Sequence, residues 1–217
     1  MAPFASLHTW AGNPRIVPAL AAAKLNGLEI ELPEFKYGVN NKDPVWVAKF
    51  PLAKVPALET TGNHPQFVVE SAAIALFLAD SGPFREQLLG ATPEQRAKIN
   101  QWIFHGELEM VPHILTGLKH SRKLVPFSQE NEDAAQKGID RIAAVLEEQL
   151  EKHQWIAETE KFSIADLIVA ATFDMGLKSW LKKEWRDAHP KIVAWYTKVT
   201  EIEALEGIFG EQKFTEE

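Results

Sequence analysis

The 217-residue sequence predicts two domains, an α/β unit over residues 1–81 and an all-α unit over residues 92–217. Three observations carry that reading. Short alternating apolar stretches interleave with helical ones through the first eighty residues. Ser81-Gly82-Pro83 then interrupts the pattern with two strong chain breakers. From Thr92-Pro93-Glu94 onward every periodic stretch has the helical spacing.

The elements follow in order. Residues 6–10 read as a first strand, closed by Gly12-Asn13-Pro14. Pro14 suits a first helical turn, where its missing N–H would have no partner anyway. Residues 15–25 form an Ala-rich helix that Asn26-Gly27 stops. Residues 28–32 alternate apolar and polar, a half-exposed strand. A polar loop over 37–44 leads to a short helical piece at 46–50. Strands at 55–59 and 66–69 flank a turn at Thr61-Gly62-Asn63, and a helix spans 71–81. The order is β-α-β-α-β-β-α.

In the second unit, Thr92 with Gln95 makes a capping-box pair, with Pro93 at the first helical position. Trp102, Ile103, Leu108 and Val111 supply apolar positions before Pro112 bends or breaks the helix. A helix at 128–152 sets Ile139, Ile142, Val145, Leu146 and Leu150 on one stripe. Ser163 and Asp166 form an N-terminal cap for a helix over 164–177, and a last helix over 191–202 follows Pro190.

Composition bounds the chemistry. The net charge of −7 comes from scattered acids, which argues against a nucleic-acid partner. With no cysteine, the chain has no disulfide, no thiolate metal site and no thiol nucleophile of its own. No leader pattern or membrane-length apolar run is present in the sequence, so the expectation is a cytoplasmic protein without membrane association.

The most informative segment is Lys49-Phe50-Pro51-Leu52-Ala53-Lys54-Val55-Pro56-Ala57-Leu58. Val55-Pro56 is a place for a cis peptide, which costs only about 0.5–1 kcal/mol at X-Pro. Pro56 lacks an N–H, so the backbone there can serve a partner outside its own sheet. Glu70-Ser71 stands where a strand meets a helix, and a Ser hydroxyl with bare N–H groups at a helix N-terminus suits a carboxylate. Together these pieces describe a backbone clamp for a small, extended, anionic peptide.

That clamp resembles the glutathione site of the thioredoxin-like domain in glutathione transferases. Val-Pro and Glu-Ser in an α/β unit, followed by an all-helical unit with the Ser163-Ile164-Ala165-Asp166 cap, resemble that superfamily over essentially the whole chain. The segment from Lys49 to Ala57, with Leu89-Gly90-Ala91-Thr92-Pro93-Glu94 and Gln101-Trp102, is similar to the transferase-like N-terminal region of the translation elongation factor 1 gamma subunit. That subunit continues into a Lys-rich linker and a further domain. This sequence ends at Phe214-Thr215-Glu216-Glu217, so the expectation is a stand-alone, fungal-type member.

The resemblance implies a thioredoxin-like domain plus an all-α domain, a homodimer, and glutathione as cofactor. It implies that Ser71 and the adjacent N–H groups take the γ-glutamyl carboxylate, and that Glu70 takes the ammonium. The Val55 backbone beside Pro56 would pair with the cysteinyl part, and Lys54 would face the glycyl carboxylate. Ser71 as a buried cap and Lys54 as a solvated side chain are the plainer alternatives. The family activates the thiol with a Tyr, Ser or Cys near the end of the first strand. Here the region reads His8-Thr9-Trp10-Ala11-Gly12-Asn13-Pro14-Arg15, and Asn13 and Arg15 are the candidates, with Thr9 behind them. Alternatively, Asn13 caps the helix and Arg15 pairs with an acid.

A second substrate would lie between the domains, against Trp10, His105, Glu109, Met110 and His113. His105 and His113 are two helical turns apart and could share a face, but no third ligand stands at metal spacing, so no metal is expected. The function these readings imply is thiolate addition to an apolar electrophile. Conjugation and addition/elimination isomerisation of an activated alkene both fit, as a tailoring step on a specialised metabolite. The alternative is a non-catalytic dimerisation module like that of the translation factor.

Overall fold

The computed structural model describes residues 2–216. Four strands form one sheet in the order β2-β1-β3-β4. β1 (Ala5–His8) runs parallel to β2 (Ile30–Glu31) and antiparallel to β3 (Ala57–Thr60), which pairs antiparallel with β4 (Phe67–Val69). Ala5 and Leu7 are fully buried while Ser6 and His8 are half-buried, the alternation a strand with two unlike faces requires. Every strand is shorter than its sequence pattern suggests. The first ends at His8 because the chain turns at Trp10, whose carbonyl accepts from the Asn13 N–H. The third starts at Ala57 because Pro56 cannot donate to a ladder.

α1 (Val17–Leu25), entered through a 3-10 turn at Pro14–Ile16, buries Ala19, Ala21, Ala22 and Ala23. Side chains this small let it lie against both α3 (Ser71–Asp80) and the helical domain. Gly27, at φ +67°, ends it in the left-handed conformation expected of a C-terminal glycine. α2 (Pro44–Lys49) begins two residues earlier than the sequence reading, because the Asp43 carboxylate accepts from the Val45 N–H at 2.7 Å and Pro44 fits the first turn.

The second domain is helical throughout: α4 (Arg85–Leu89), α5 (Pro93–Phe104), α6 (Val111–Ser121), α7 (Gln129–Lys152), α8 (Ile164–Leu177), α9 (Lys183–Ala188) and α10 (Pro190–Thr200). The Thr92–Gln95 capping box opens α5. Between α5 and α6 the backbone does not break at Pro112; it widens into a π-helical turn over His105–Met110, and Pro112 sits in the first turn of α6. Leu108 falls in that turn and is 66% exposed, so it is not a core position. On α7 the expected stripe buries Ile139, Ile142 and Leu146, but Val145 is 49% exposed, one residue off the stripe.

α8 is the axis of the molecule. Every residue from Ile164 to Leu177 is buried, and α1, α5, α6 and α10 all pack on it. Its start is pinned by the Asp166 carboxylate, which accepts from Ser163 N–H (2.8 Å), Ser163 Oγ–H (3.0 Å), Ile156 N–H (3.1 Å) and Trp195 Nε1–H (3.0 Å). Burial pushes that carboxyl above its ordinary range, while the hydrogen bonds pull it back. Gly117 on α6 is a close-approach glycine: a Cβ there would sit 1.9 Å from Cδ2 of Trp180. No described helix is long and apolar enough to cross a membrane.

Candidate functional site

A cavity of about 150 Å³ opens between two pieces of backbone. One wall is the chain from Phe50 to Pro56; the other is Val69, Glu70 and Ser71, and Arg15 reaches in from the start of the first helical segment. The Val55-Pro56 peptide is cis. Among the described residues Val55 makes no backbone hydrogen bond, because β3 pairs only from Ala57 onward. Its N–H and C=O therefore remain for an added partner.

Opposite, Glu70 has φ +69°, a left-handed conformation that costs a non-glycine residue about 1–3 kcal/mol. That turn lets α3 begin at Ser71 with no loop between it and β4. Ser71 is buried at the cavity edge, and the first N–H groups of α3 have no intrahelical partner. An anion placed there meets donors and the positive end of the helix dipole. Lys54 and Glu70 are exposed on the rim.

Behind the first wall lies an aromatic cluster. Phe50 is buried against Trp46 (ring centroids 4.8 Å), Phe67 (5.8 Å) and His8 (6.1 Å). Lys49 bridges to Glu59 at 2.8 Å beside them. Burial holds the His8 imidazole below its ordinary value against the opposing pull of Glu59, 4.0 Å away. The cluster anchors that wall at Phe50, and Asn41 Nδ2 donates to the Ala53 carbonyl at 2.9 Å farther along it.

The first-helix candidates separate. Arg15 lines the cavity and also pairs with an acid, Glu107, at 2.5 Å. Asn13 is 3% exposed, and its amide is used locally: Oδ1 accepts from the Arg15 N–H at 3.0 Å and Nδ2 donates to Thr9 Oγ1 at 2.9 Å. It is the N-cap of the turn that carries Arg15, and it does not line the cavity.

The five residues expected around a second substrate do not come together. Met110 points into the core and is fully buried. Glu109 is paired with Arg141 of α7. His105 packs edge-on against Trp102 at 5.3 Å. His113 lines a separate hollow of about 470 Å³ between α6 and α7, with Pro112, Thr116, Lys119 and His120. Trp10 is exposed on the loop after β1. His105 lies in the π-helical turn and His113 beyond it on α6. Glu107 was not foreseen, and nothing local in the sequence marks it, since its role depends on that turn.

Two family models match the chain: Glutathione S-transferase, N-terminal domain, over residues 5–80, and Glutathione S-transferase, C-terminal domain, over residues 107–203. Over 210 residues the chain is 39% identical to the glutathione S-transferase-like protein LUC7 of Fusarium sp, covering 97% of this chain and 94% of that protein. It is 29% identical over 215 residues to elongation factor 1-gamma of Rattus norvegicus, where the match takes in 97% of this chain but 47% of that protein, about half its length. In structure it superposes with a TM-score of 0.86 on the glutathione transferase URE2P6 of Phanerochaete chrysosporium, solved in complex with oxidised glutathione, at 21% identity and 96% coverage of each chain.

Proposed function

Since the chain belongs to the glutathione S-transferase family, we propose that it binds glutathione in the cavity between segment 50–56 and the start of α3 and uses the thiolate on an apolar electrophile. The observation that carries this reading is the pairing of an unbonded Val55 backbone with the free N-terminus of α3 across one cavity. Ser71 and the first N–H groups of α3 take the γ-glutamyl carboxylate, and Glu70 takes its ammonium. Val55, held by Pro56, adds the cysteinyl backbone like a short strand, and Lys54 meets the glycyl carboxylate. Arg15 stabilises the thiolate by its charge, with Asn13 setting the turn that carries it.

In conjugation the thiolate sulfur forms a C–S bond as a leaving group departs or the carbanion is protonated. In isomerisation it adds to an activated alkene, the former double bond rotates, and the same C–S bond breaks, returning the thiolate. Both need only a stabilised thiolate and a positioned acceptor. The protein acts as a cytoplasmic homodimer in a tailoring step on a specialised metabolite. Retention on immobilised glutathione, followed by incubation with glutathione and either aryl halides or conjugated polyenes, tests the reading and separates the two reactions.

One observation favours a second reading, a non-catalytic dimerisation module. Thr9 and Asn13 spend their polar groups on each other where the family usually offers a hydroxyl or thiol. Absence of retention, together with an unchanged melting temperature in millimolar glutathione, would support that module instead.

A further inference from the structure

The π-helical turn His105–Met110 delivers one side chain that the reading above leaves without a role. Glu107 reaches from the helical domain to Arg15 in the α/β domain, its Oε2 2.5 Å from Nη2. The two side chains are only 23% and 21% exposed. The other carboxylate oxygen, Oε1, is buried with no hydrogen-bond partner. A buried acceptor left unmet is uncommon in native proteins and asks for a reason.

Pro14, Ser71, Ile168, Thr172 and Met175 close around the pair, and the space they leave does not admit a water molecule. Glu107 does not line the larger cavity beside Ser71, whereas Arg15 does. Whatever it contributes to the site passes through Arg15. Arg15, for its part, makes a single side-chain hydrogen bond among the described residues, the one to Glu107. A guanidinium carries five N–H donors in a rigid fork. One edge of the fork is thus held from behind, and the rest belongs to the residue that lines the cavity beside Ser71 and Val55.

We propose that Glu107 is a positioning residue: it clamps Arg15 across the domain boundary so that the unspent edge of the guanidinium faces the anionic atoms of bound glutathione. The proposal rests on the glutathione reading above. An unclamped arginine has many rotamers, so its charge would spread away from the cavity. Oε2 alone fixes that direction, and Oε1 is left unmet beside it. The Asn13 cap acts on the same target from the other side, fixing the backbone of Arg15 while Glu107 fixes its tip.

The test is the thiolate absorbance of protein-bound glutathione followed against pH in wild type, R15A, E107A, E107Q and the R15A/E107A double variant. R15A and E107A should each move the midpoint upward, by about half a pH unit or more. E107Q keeps an acceptor oxygen in place and should stay within about 0.2 unit of wild type. The double variant should titrate like R15A alone, because one residue acts through the other. If E107A does not fold, E107D withdraws the carboxylate by one methylene and carries the same expectation. A merely structural bridge would lower the melting temperature and leave the midpoint alone, and that result overturns the proposal, as does an additive double variant. If wild type shows no bound thiolate, the glutathione reading is what fails. The clamp is then read from the Arg15 side-chain NMR signals in the ligand-free protein. They should exchange slowly in wild type and E107Q and average in E107A; identical spectra refute the clamp.

Discussion

Replacing Asp166 by Ala removes one carboxylate and leaves a measurable deficit. Four donors lose their acceptor: Ser163 N–H, Ser163 Oγ–H, Ile156 N–H and Trp195 Nε1–H, at 2.8 to 3.1 Å. The hydroxyl can rotate toward another acceptor. The three N–H groups cannot, and Ser163, Ile156 and Trp195 are all buried. An unmet buried donor costs about 1–3 kcal/mol, so three cost about 3–9 kcal/mol. Against that, the variant no longer buries a carboxylate, a relief of several kcal/mol whose sign is evident in the raised carboxyl of Asp166. Taking the middle of the first range, about 6 kcal/mol, and a relief of about 3 kcal/mol, the expected net loss is about 3 kcal/mol, a large share of the 5–15 kcal/mol typical of a folded protein. Urea unfolding followed by far-ultraviolet circular dichroism measures it directly. Because α8 floors the space under Arg15 and Glu107, the same variant should also weaken glutathione retention at temperatures where it is still folded. A loss below about 1 kcal/mol, the worth of an ordinary exposed cap, would refute the argument that this network anchors the core.

Three more outcomes are expected. Ser71→Ala should weaken glutathione binding by about 10- to 100-fold, the value of one hydrogen bond to a charged group, with little change in melting temperature; titration calorimetry reads it. Gly117→Ala drives a methyl into the Trp180 ring and should cost about 1–3 kcal/mol, with a change in tryptophan fluorescence as the Trp180–Glu132 hydrogen bond at 2.6 Å is disturbed. His8 gives a pH dependence. Its imidazole is held below the ordinary 6.5 by burial, with Lys49 adding to that effect while Glu59 and Glu31 oppose it. The unfolded chain therefore takes up a proton first as pH falls. The contribution is fully present above pH 6.5 and is lost as pH drops toward the folded value. His8→Phe, which keeps a ring in the aromatic cluster, should show a smaller fall in urea midpoint between pH 7 and 5 than wild type.

What could be read in the chain before the structure was whatever a few neighbouring residues decide. The Thr92–Gln95 box and the Asn26-Gly27 stop are local chemistry, and both stand where the sequence puts them. α8 runs from Ile164 to Leu177, as its cap and apolar run predicted. The family resemblance was legible for the same reason, since Val-Pro, Glu-Ser and the Ser-x-x-Asp cap are short motifs, and the family models and relatives bear it out. α4 and α9 hold too little of a 3.6 repeat for periodicity to mark them, whereas α2, as short as α9, is bounded by a polar loop before it and Pro51 after it. Asn13 and Arg15 are two residues apart and equally plausible on paper. Asn13 is spent locally as a cap, and only the tertiary fold brings Arg15 into the cavity. His105 and His113 were expected to share a face; helical spacing could not say that one would pack on Trp102 and the other open onto the hollow between α6 and α7.

That turn has a consequence for how this chain can vary. A π turn is, in effect, a one-residue insertion accommodated inside a helix. Closing the helix as regular α with every residue kept would rotate everything from Val111 to Ser121 by about 100° relative to α7 and α8, and Ile114 and Gly117 would leave the core. Deleting one residue between His105 and Met110 instead lets the helix close with α6 in its present phase, so the change falls on the turn itself and on the carboxylate that meets Arg15. Relatives one residue shorter in this stretch should therefore keep what they bury on α6 and differ in what stands opposite Arg15. Alignments across it should be anchored on the buried residues of α6 and not on the residue count.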